Sequence, residues 1–268
     1  MILILALFGS AGPLLAKSAE PWLRWQRHDP ASSRTVDYAA WDALLGRVVT
    51  LDGDGISRVD YAALSGPEAA ALAEVVAGLA KIEVSGLNRD EQLAYWVNLY
   101  NAVTLQVVAA HYPVGSIRDI DISPGWFSDG PWGAQLVTVE GQALTLDDIE
   151  DRILRPLWQD PRVHYAVNCA SIGCPNLAAE AYLGVDIGAR LERAARTFVN
   201  HPRGVDLAGE KLTVSKIYTW FSEDFGGSSR SLLEHLRRFA EPRLAAALAE
   251  VEDIDGTVYD WSLNDSGG

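Results

Sequence analysis

The sequence predicts a mostly helical α+β fold, a single globular domain with a small β-sheet. The chain has 268 residues, of which 49% are hydrophobic and 22% are charged, and this suits one sizeable core. Apolar residues recur with helical spacing in most segments, and short strand-like runs flank a few turns. Neither a repeat nor a long linker divides the sequence.

The N-terminal half is predicted to be helical. Helical spacing predicts a helix within 21–51, which ends at the turn sequence Asp-Gly-Asp-Gly of 52–55. A second helix is predicted over 66–84. Asn88 is predicted to cap a third, long and strongly apolar helix that ends before Pro113.

The C-terminal half is predicted to alternate loops, helices and short strands. A long loop rich in Gly, Pro, Asp, Ser and Trp is predicted over 115–135. Strands are predicted over 136–139, 163–167 and 211–214. Helices are predicted over 145–154, 186–200, 215–220, 229–239 and 243–251.

The N-terminus is typical of a secretory signal. About sixteen residues carry no charge, and Ala16 with Ser18 satisfies the small-x-small rule for cleavage after Ser18. The usual basic n-region is missing, and the alternative is an apolar N-terminal arm. We expect a signal peptide at 1–18, a globular domain at 19–268 and a periplasmic or secreted location. The segment is short for a membrane span, so we expect no integral span in the mature chain.

The net charge and the positions of the cysteines limit the classes of partner and metal site. Lys plus Arg number 22 against 36 Asp plus Glu, which gives a net charge of −14, and no basic run is present. We therefore expect no nucleic-acid partner, and a small molecule or a peptide instead. Both cysteines lie in one short stretch, which excludes the usual four-ligand zinc patterns. No cofactor is predicted.

The most informative segment is His164-x4-Cys169-x4-Cys174-Pro175. In one interpretation Cys169 is a nucleophile and His164 its base, which requires the chain to bend at Asn168. In a second, Cys169 and Cys174 form a disulfide, the ordinary outcome in an exported protein. If this pair cycled it would be a redox site, although the C-x-x-C spacing of thioredoxin-like enzymes is absent. In a third, the histidine and both cysteines ligate a metal together with a fourth ligand.

Two further groups of polar residues stand out. Asn98 and Asn101 share one face of the long apolar helix, and buried amides there predict a structural polar network or an oxyanion donor. Lys216, Trp220 and Asp224 are four residues apart and would form one ridge on a continuous helix. Asp224 is predicted to orient a histidine or to pair with Lys216.

Tryptophans are numerous for this length, with nine in the chain. Core filling accounts for most of them. Trp126 and Trp132 fall in the predicted long loop and are expected to line a cleft. We take them, with Lys216, as candidate substrate-binding residues.

Several motifs occur in a fixed order along the chain. They include VDYAAW, EQLAYWVNLYNAVTL, DPRVHYAVNCASIGCPNL, SKIYTWFSEDFG and YDWSLN. Together they resemble the family catalogued as domain of unknown function 547, over roughly 37–264. The resemblance implies no settled activity, although some members are joined to glutaredoxin-like domains. It implies that the family pattern includes the counterparts of Asn98, Asn101, His164, Asn168, Cys169, Cys174, Lys216 and Asp224.

These observations predict an exported thiol enzyme of the acyl-transfer class, a peptidase, amidase or transferase. Cys169 would attack, and His164 would be its base. Asn98 or Asn101 would donate to the oxyanion, and Asp224 would orient the histidine. The alternatives are a non-enzymatic periplasmic binding or assembly module with a structural disulfide, and a thiol redox or metal-linked accessory protein.

Overall fold

A computed structural model describes residues 20–125, 129–209 and 211–267. The predicted signal peptide at 1–18 and Trp126 lie outside the described residues. The described chain is largely helical with small sheets, which confirms the predicted α+β class. Within these ranges, no helix combines the length and the apolar character that crossing a membrane requires.

The helices are distributed along both halves of the described chain. They are α1 Ala39–Val48, α2 Tyr61–Leu64, α3 Ala69–Ala80, α4 Arg89–His111, α5 Arg155–Trp158, α6 Ile187–Val199, α7 Ile217–Trp220, α8 Ser229–Phe239 and α9 Pro242–Ala249. A π-helix, Asp148–Leu154, leads directly into α5. Short 3-10 helices lie at Leu23–Gln26, Val84–Gly86, Ile117–Asp119, Pro161–Tyr165 and Gly184–Asp186.

The strands form separate small sheets rather than one. They are β1 Val49–Leu51, β2 Ser57–Val59, β3 Val137–Val139, β4 Gln142–Leu144, β5 Val205–Ala208, β6 Lys211–Ser215 and β7 Gly256–Val258. Strands β1 and β2 pair antiparallel, as do β3 and β4. Strand β6 lies between antiparallel β5 and parallel β7.

Helix α4 is the centre of the first hydrophobic cluster. The Asn88 side chain accepts a hydrogen bond from the Glu91 amide at 3.0 Å and caps the helix, as predicted. Tyr95, Trp96 and Val97 follow one another around α4 and are all fully buried, so the helix is covered on different sides. A helix that is apolar all round must be covered all round, and the surrounding helices do this.

A second hydrophobic cluster joins α6, α8 and the three-stranded sheet. The 3-10 helix Pro161–Tyr165 lies between the two clusters, because Val163 packs in the first and Tyr165 in the second. His164 therefore lies at their boundary and is buried there.

The predicted strand over 163–167 is wrong, because 161–165 is this 3-10 helix. The Asp160 side chain accepts a hydrogen bond from the Arg162 amide at 3.0 Å, and Pro161 occupies the first helical position. An N-cap followed by proline starts a helix, and this signal outweighs the β-branched residues.

The predicted helix within 21–51 is confirmed only in part, as Leu23–Gln26 and α1. The Asp29 side chain accepts a hydrogen bond from the Ala31 amide at 3.0 Å, which forms a local turn around Pro30. Proline cannot continue a helix, so the apolar residues on either side belong to separate elements.

Asn98 on α4 gives a test of how the central helix is held. Its Oδ1 accepts from Trp41 Nε1 at 3.3 Å and from the Tyr182 amide at 3.0 Å, and its Nδ2 donates to the Tyr182 carbonyl at 2.8 Å. We expect Asn98→Ala to lower the free energy of unfolding by about 3 kcal/mol in urea denaturation, because these buried groups lose their partners. Gln106→Ala, on a less buried part of α4, is the control and should change stability by less than about 0.5 kcal/mol. Equal losses in both variants would contradict this role.

Candidate functional site

A cavity of about 210 Å³ lies where the two hydrophobic clusters meet. Tyr100 and Val167, which belong to the first cluster, line one part of it, and Ile217, which belongs to the second cluster, lines another. Its wall carries three chemical features: a pair of cysteines, a group of carboxylates and several large aromatic rings. Reactive, charged and apolar groups therefore converge on one concave site.

The two cysteines in the cavity wall form a disulfide. The Cα atoms of Cys169 and Cys174 are 6.2 Å apart, and the bond agrees with the second interpretation of the sequence. Cys174 is buried, whereas Cys169 is partly exposed. The Cys169 amide donates a hydrogen bond to Cys174 Sγ at 2.9 Å. The two cysteine residues thus differ in exposure, and their sulfurs differ in hydrogen bonding.

Tyr259 is the closest side-chain donor to the disulfide. Its hydroxyl lies 2.9 Å from Cys169 Sγ and 3.3 Å from Cys174 Sγ, and 2.8 Å from Ser171 Oγ. Burial raises the pKa of Tyr259 above its ordinary value, so the phenol keeps its proton and can donate it in a hydrogen bond. Sequence reasoning assigned no role to this residue, although it lies in the quoted motif YDWSLN.

The cysteine loop is held in place by two buried asparagines. Asn101 on α4 donates to the Ala166 carbonyl at 2.9 Å and accepts from the Asn168 amide at 2.8 Å. Asn168 donates to the Pro175 carbonyl at 2.7 Å, across the loop. This network supplies the bend at Asn168 that the sequence analysis required.

Neither helix asparagine lines the cavity. The amide donors of Asn98 and Asn101 are engaged by backbone carbonyls. The geometry therefore supports the predicted structural network, and the oxyanion role stays a prediction.

His164 and Asp224 are in contact, in agreement with the prediction that Asp224 orients a histidine. His164 Nε2 lies 2.7 Å from Asp224 Oδ2, and Arg155 Nε donates to the same oxygen at 2.6 Å. The His164 ring stacks on Phe221 with centroids 4.1 Å apart. Burial would raise the pKa of Asp224, but the hydrogen bonds and positive charges of His164 and Arg155 outweigh it and lower the pKa to about 2.

The predicted ridge of Lys216, Trp220 and Asp224 is not formed. Helix α7 ends at Trp220, and the turn that follows carries Asp224 to Arg155 and His164. Lys216 is exposed and lies outside the cavity lining. Its predicted substrate contact stays a prediction.

The other ring nitrogen of His164 faces Glu150. Nδ1 lies 3.5 Å from Glu150 Oε1 without an aligned hydrogen bond, and Glu150 Oε2 accepts from the Tyr100 hydroxyl at 3.0 Å. Burial lowers the pKa of His164, but the carboxylates of Asp224 and Glu150 outweigh it and raise the pKa. Protonated His164 has no lone pair with which it could accept a proton from Cys169.

His164 and Cys169 line the same cavity, as the nucleophile hypothesis requires. Among the described residues, the side-chain partners of Cys169 Sγ other than Cys174 are Ser171 and Tyr259, not His164. The structure thus brings the predicted pair to one site but does not join it by a hydrogen bond.

Asp147 is the carboxylate of the cavity wall that lacks a counter-charge. Solvent reaches its side chain, and no basic group in the described ranges pairs with it. Desolvation by the cavity wall, together with the negative charges of Asp151, Glu150 and Asp148, raises the pKa of Asp147 to about 7. The described residues contain no group of three or more His, Cys, Asp or Glu side chains arranged to hold a metal ion.

Aromatic rings form the remaining wall. Trp261 lies 5.9 Å from Trp132, 5.5 Å from Trp220 and 4.7 Å from Tyr259, measured between ring centroids. Trp132 therefore lines a cleft as predicted. Trp220 and Trp261 were not predicted as a wall, because they come from distant parts of the chain.

The comparisons with known proteins give one match. Residues 84–199 match the family described as "Protein of unknown function, DUF547". No curated protein and no solved structure matches the chain. The matched residues include α4, His164 and both cysteines, whereas Asp224, Tyr259 and Trp261 follow the match.

Asp224→Asn tests the buried ion network. Arg155 is almost fully buried, and removal of the Asp224 charge takes away the carboxylate that both Arg155 and His164 contact, so that only Asp151 and Glu150 remain beside them. We expect a loss of about 3 kcal/mol in the free energy of unfolding, measured by urea denaturation at pH 7. Glu223→Gln, at the exposed neighbouring position, is the matched control and should have little effect. If the two variants were equally stable, Asp224 would not hold the network together.

Asp147→Asn tests the electrostatics of the cavity wall. The pKa of an aspartate in an unfolded chain is about 3.9. Between about pH 4 and about pH 7, the folded protein therefore keeps the Asp147 proton that the unfolded chain has lost. Wild-type stability should therefore decline through this window because of Asp147. The stability difference in favour of Asp147→Asn should be smallest near pH 4, grow with pH and level off above the folded pKa. Urea denaturation across this range measures it, and Asp147→Glu, which keeps a titratable carboxyl, should retain most of the wild-type slope. A pH-independent difference would contradict the raised pKa.

Proposed function

We propose that this protein, which contains a DUF547 family domain at residues 84–199, carries out thiol–disulfide exchange through Cys169 and Cys174. The observation that carries the proposal is that a disulfide between a partly exposed and a buried cysteine lines a cavity. A disulfide with a purely structural role needs no access to ligands. Here the partly exposed Cys169 can be attacked, and the buried Cys174 lies among hydrogen-bond donors.

In the first step, a substrate thiolate attacks Cys169 Sγ. A bond forms between the substrate sulfur and Cys169, the Cys169–Cys174 bond breaks, and its electron pair passes to Cys174 Sγ. The Cys169 amide at 2.9 Å and the Tyr259 hydroxyl at 3.3 Å stabilise the Cys174 thiolate that leaves. Hydrogen bonds to a thiolate favour its charged form and so make it a better leaving group.

In the second step, another substrate thiolate attacks the substrate sulfur of the mixed disulfide and releases Cys169 as a thiolate. Overall, two substrate thiols are oxidised to a disulfide, and the protein disulfide is reduced to two thiols that take up the two protons. The reverse sequence reduces a substrate disulfide. We also propose a periplasmic or secreted location, because an oxidising compartment maintains such a bond.

Cysteine-dependent acyl transfer is the second candidate. The specific observation in its favour is that Cys169 and His164 line one cavity, with Asp224 bound to the histidine. This activity requires reduction of the disulfide, so that a Cys169 thiolate can attack an acyl carbon. It also requires a neutral His164, which its two carboxylate neighbours disfavour.

Single-cysteine variants test the exchange function. Cys174→Ser leaves Cys169 free, and Cys169→Ser leaves the buried Cys174 free. When each is mixed with 2-hydroxyethyl disulfide, we expect the Cys174→Ser protein to form the mixed disulfide at least about tenfold faster, because its thiol is accessible. Intact mass spectrometry measures the adduct, and circular dichroism confirms that both variants are folded.

The wild-type protein supplies the second measurement. Its disulfide should be reduced by 2-mercaptoethanol while the protein stays folded, and Tyr259→Phe should slow this reduction several-fold. Tyr218→Phe is the control, since that buried hydroxyl contacts Tyr165 rather than a sulfur. A disulfide that resists thiols until the protein unfolds would overturn exchange and favour a binding module. Thioester hydrolysis that requires prior reduction and is lost in Cys169→Ala would favour acyl transfer.

A further inference from the structure

We propose that the cavity recognises a cationic group, so that the exchange substrate is a small thiol or a cysteine peptide with an ammonium or guanidinium near its sulfur. This inference rests on the proposed exchange function and names its substrate class. It is carried by the charges around the cavity, by its aromatic wall and by its size.

The charged groups beside the cavity carry an excess of negative charge. His164 lies between Asp224 and Glu150, and Arg155 lies between Asp224 and Asp151. Three carboxylates thus share two cations. This part of the site carries one unbalanced negative charge when all five groups are ionised.

Asp147 adds a further carboxylate on the cavity side. It faces Glu150 and Asp151, and within the described ranges no arginine, lysine or histidine forms an ion pair with it. Asp147 is exposed, and the negative charges of the neighbouring carboxylates raise the energy of its ionised form. A cation in the cavity would offset this cost, and an anion would increase it.

The aromatic wall of the cavity also favours a cation. The faces of tryptophan rings attract cations through their quadrupole. The Arg118 guanidinium already lies 5.2 Å from the Trp261 ring, on the same aromatic group. Trp132 and Trp220 also line the cavity, and no described arginine or lysine lies over their rings. A ligand cation could therefore contact a tryptophan face and a carboxylate at the same site as the disulfide.

The size of the cavity limits the ligand. A cavity of about 210 Å³ is smaller than the range of about 300–1,000 Å³ that holds drug-sized ligands. It suits a small aminothiol or a short part of a peptide. Glutathione is both larger and net negative, so it fits neither the volume nor the charge.

The test compares three small thiols of different charge: cysteamine, 2-mercaptoethanol and 3-mercaptopropionate. The rate at which each reduces the Cys169–Cys174 disulfide is divided by its rate with 2-hydroxyethyl disulfide, so that intrinsic thiol reactivity cancels. We expect the normalised rate of cysteamine to exceed that of 2-mercaptoethanol by about tenfold, and that of 3-mercaptopropionate to be the lowest. Asp147→Asn should remove most of the cysteamine advantage. Asp206→Asn, on the exposed side of β5, should retain it.

A second measurement separates recognition from exchange. The oxidised protein is titrated with butylamine and with 1-butanol, and the indole N–H signals of the tryptophans are followed by NMR. We expect butylamine to shift these signals at concentrations about tenfold lower than 1-butanol does, and only when Asp147 is intact.

The outcomes are distinct. Asp147-dependent binding of butylamine without reduction by any thiol would overturn exchange and leave the cation site standing. Equal normalised rates for the three thiols, with no preference for butylamine, would overturn the cation site and leave exchange standing.

Discussion

The carboxylate of Asp224 is the constraint on which the arrangement of the site depends. It binds Arg155, the first residue of α5, and His164 from the 3-10 helix, and it follows α7 in the second half of the chain. Buried cations require a counter-charge, so these segments cannot separate without a large electrostatic cost. The position of His164 fixes the start of the loop that carries the cysteines. One ion network thus joins the two hydrophobic clusters and places the disulfide between them.

Polar side chains on α4 add a second constraint. An apolar helix can be covered by hydrophobic neighbours in many rotations, because dispersion and burial are not directional. Asn98 and Asn101 remove this freedom, since each must meet particular backbone groups to avoid a buried unpaired amide. The rotation of α4 that satisfies both also sets the position of Asn168. The hydrophobic core supplies the driving force, and the two amides select one arrangement.

Local signals in the sequence predicted the elements that depend on local interactions. The Asn88 cap predicts the start of α4, whereas the β-branched residues of 163–167 predict a strand where the Asp160 cap and Pro161 instead start a 3-10 helix. The cysteines, His164 and Asp224 were identified as candidates from residue type. Tyr259 was not, because it lies 90 residues from Cys169 along the chain and only the packing of β7 on β6 brings it close. Long-range contacts of this kind leave no spacing pattern in a single sequence.

The segment that matches the family ends at residue 199, but the cavity does not end there. Trp220, Tyr259 and Trp261 complete its wall, and Asp224 neutralises cations that lie within the matched segment. The smallest autonomous unit is therefore longer than the region by which the family is identified. A gene fusion or an isolated fragment cut at residue 199 would have an open half-site that lacks the Asp224 carboxylate beside Arg155 and His164. Boundaries for recombinant fragments should accordingly extend beyond Trp261.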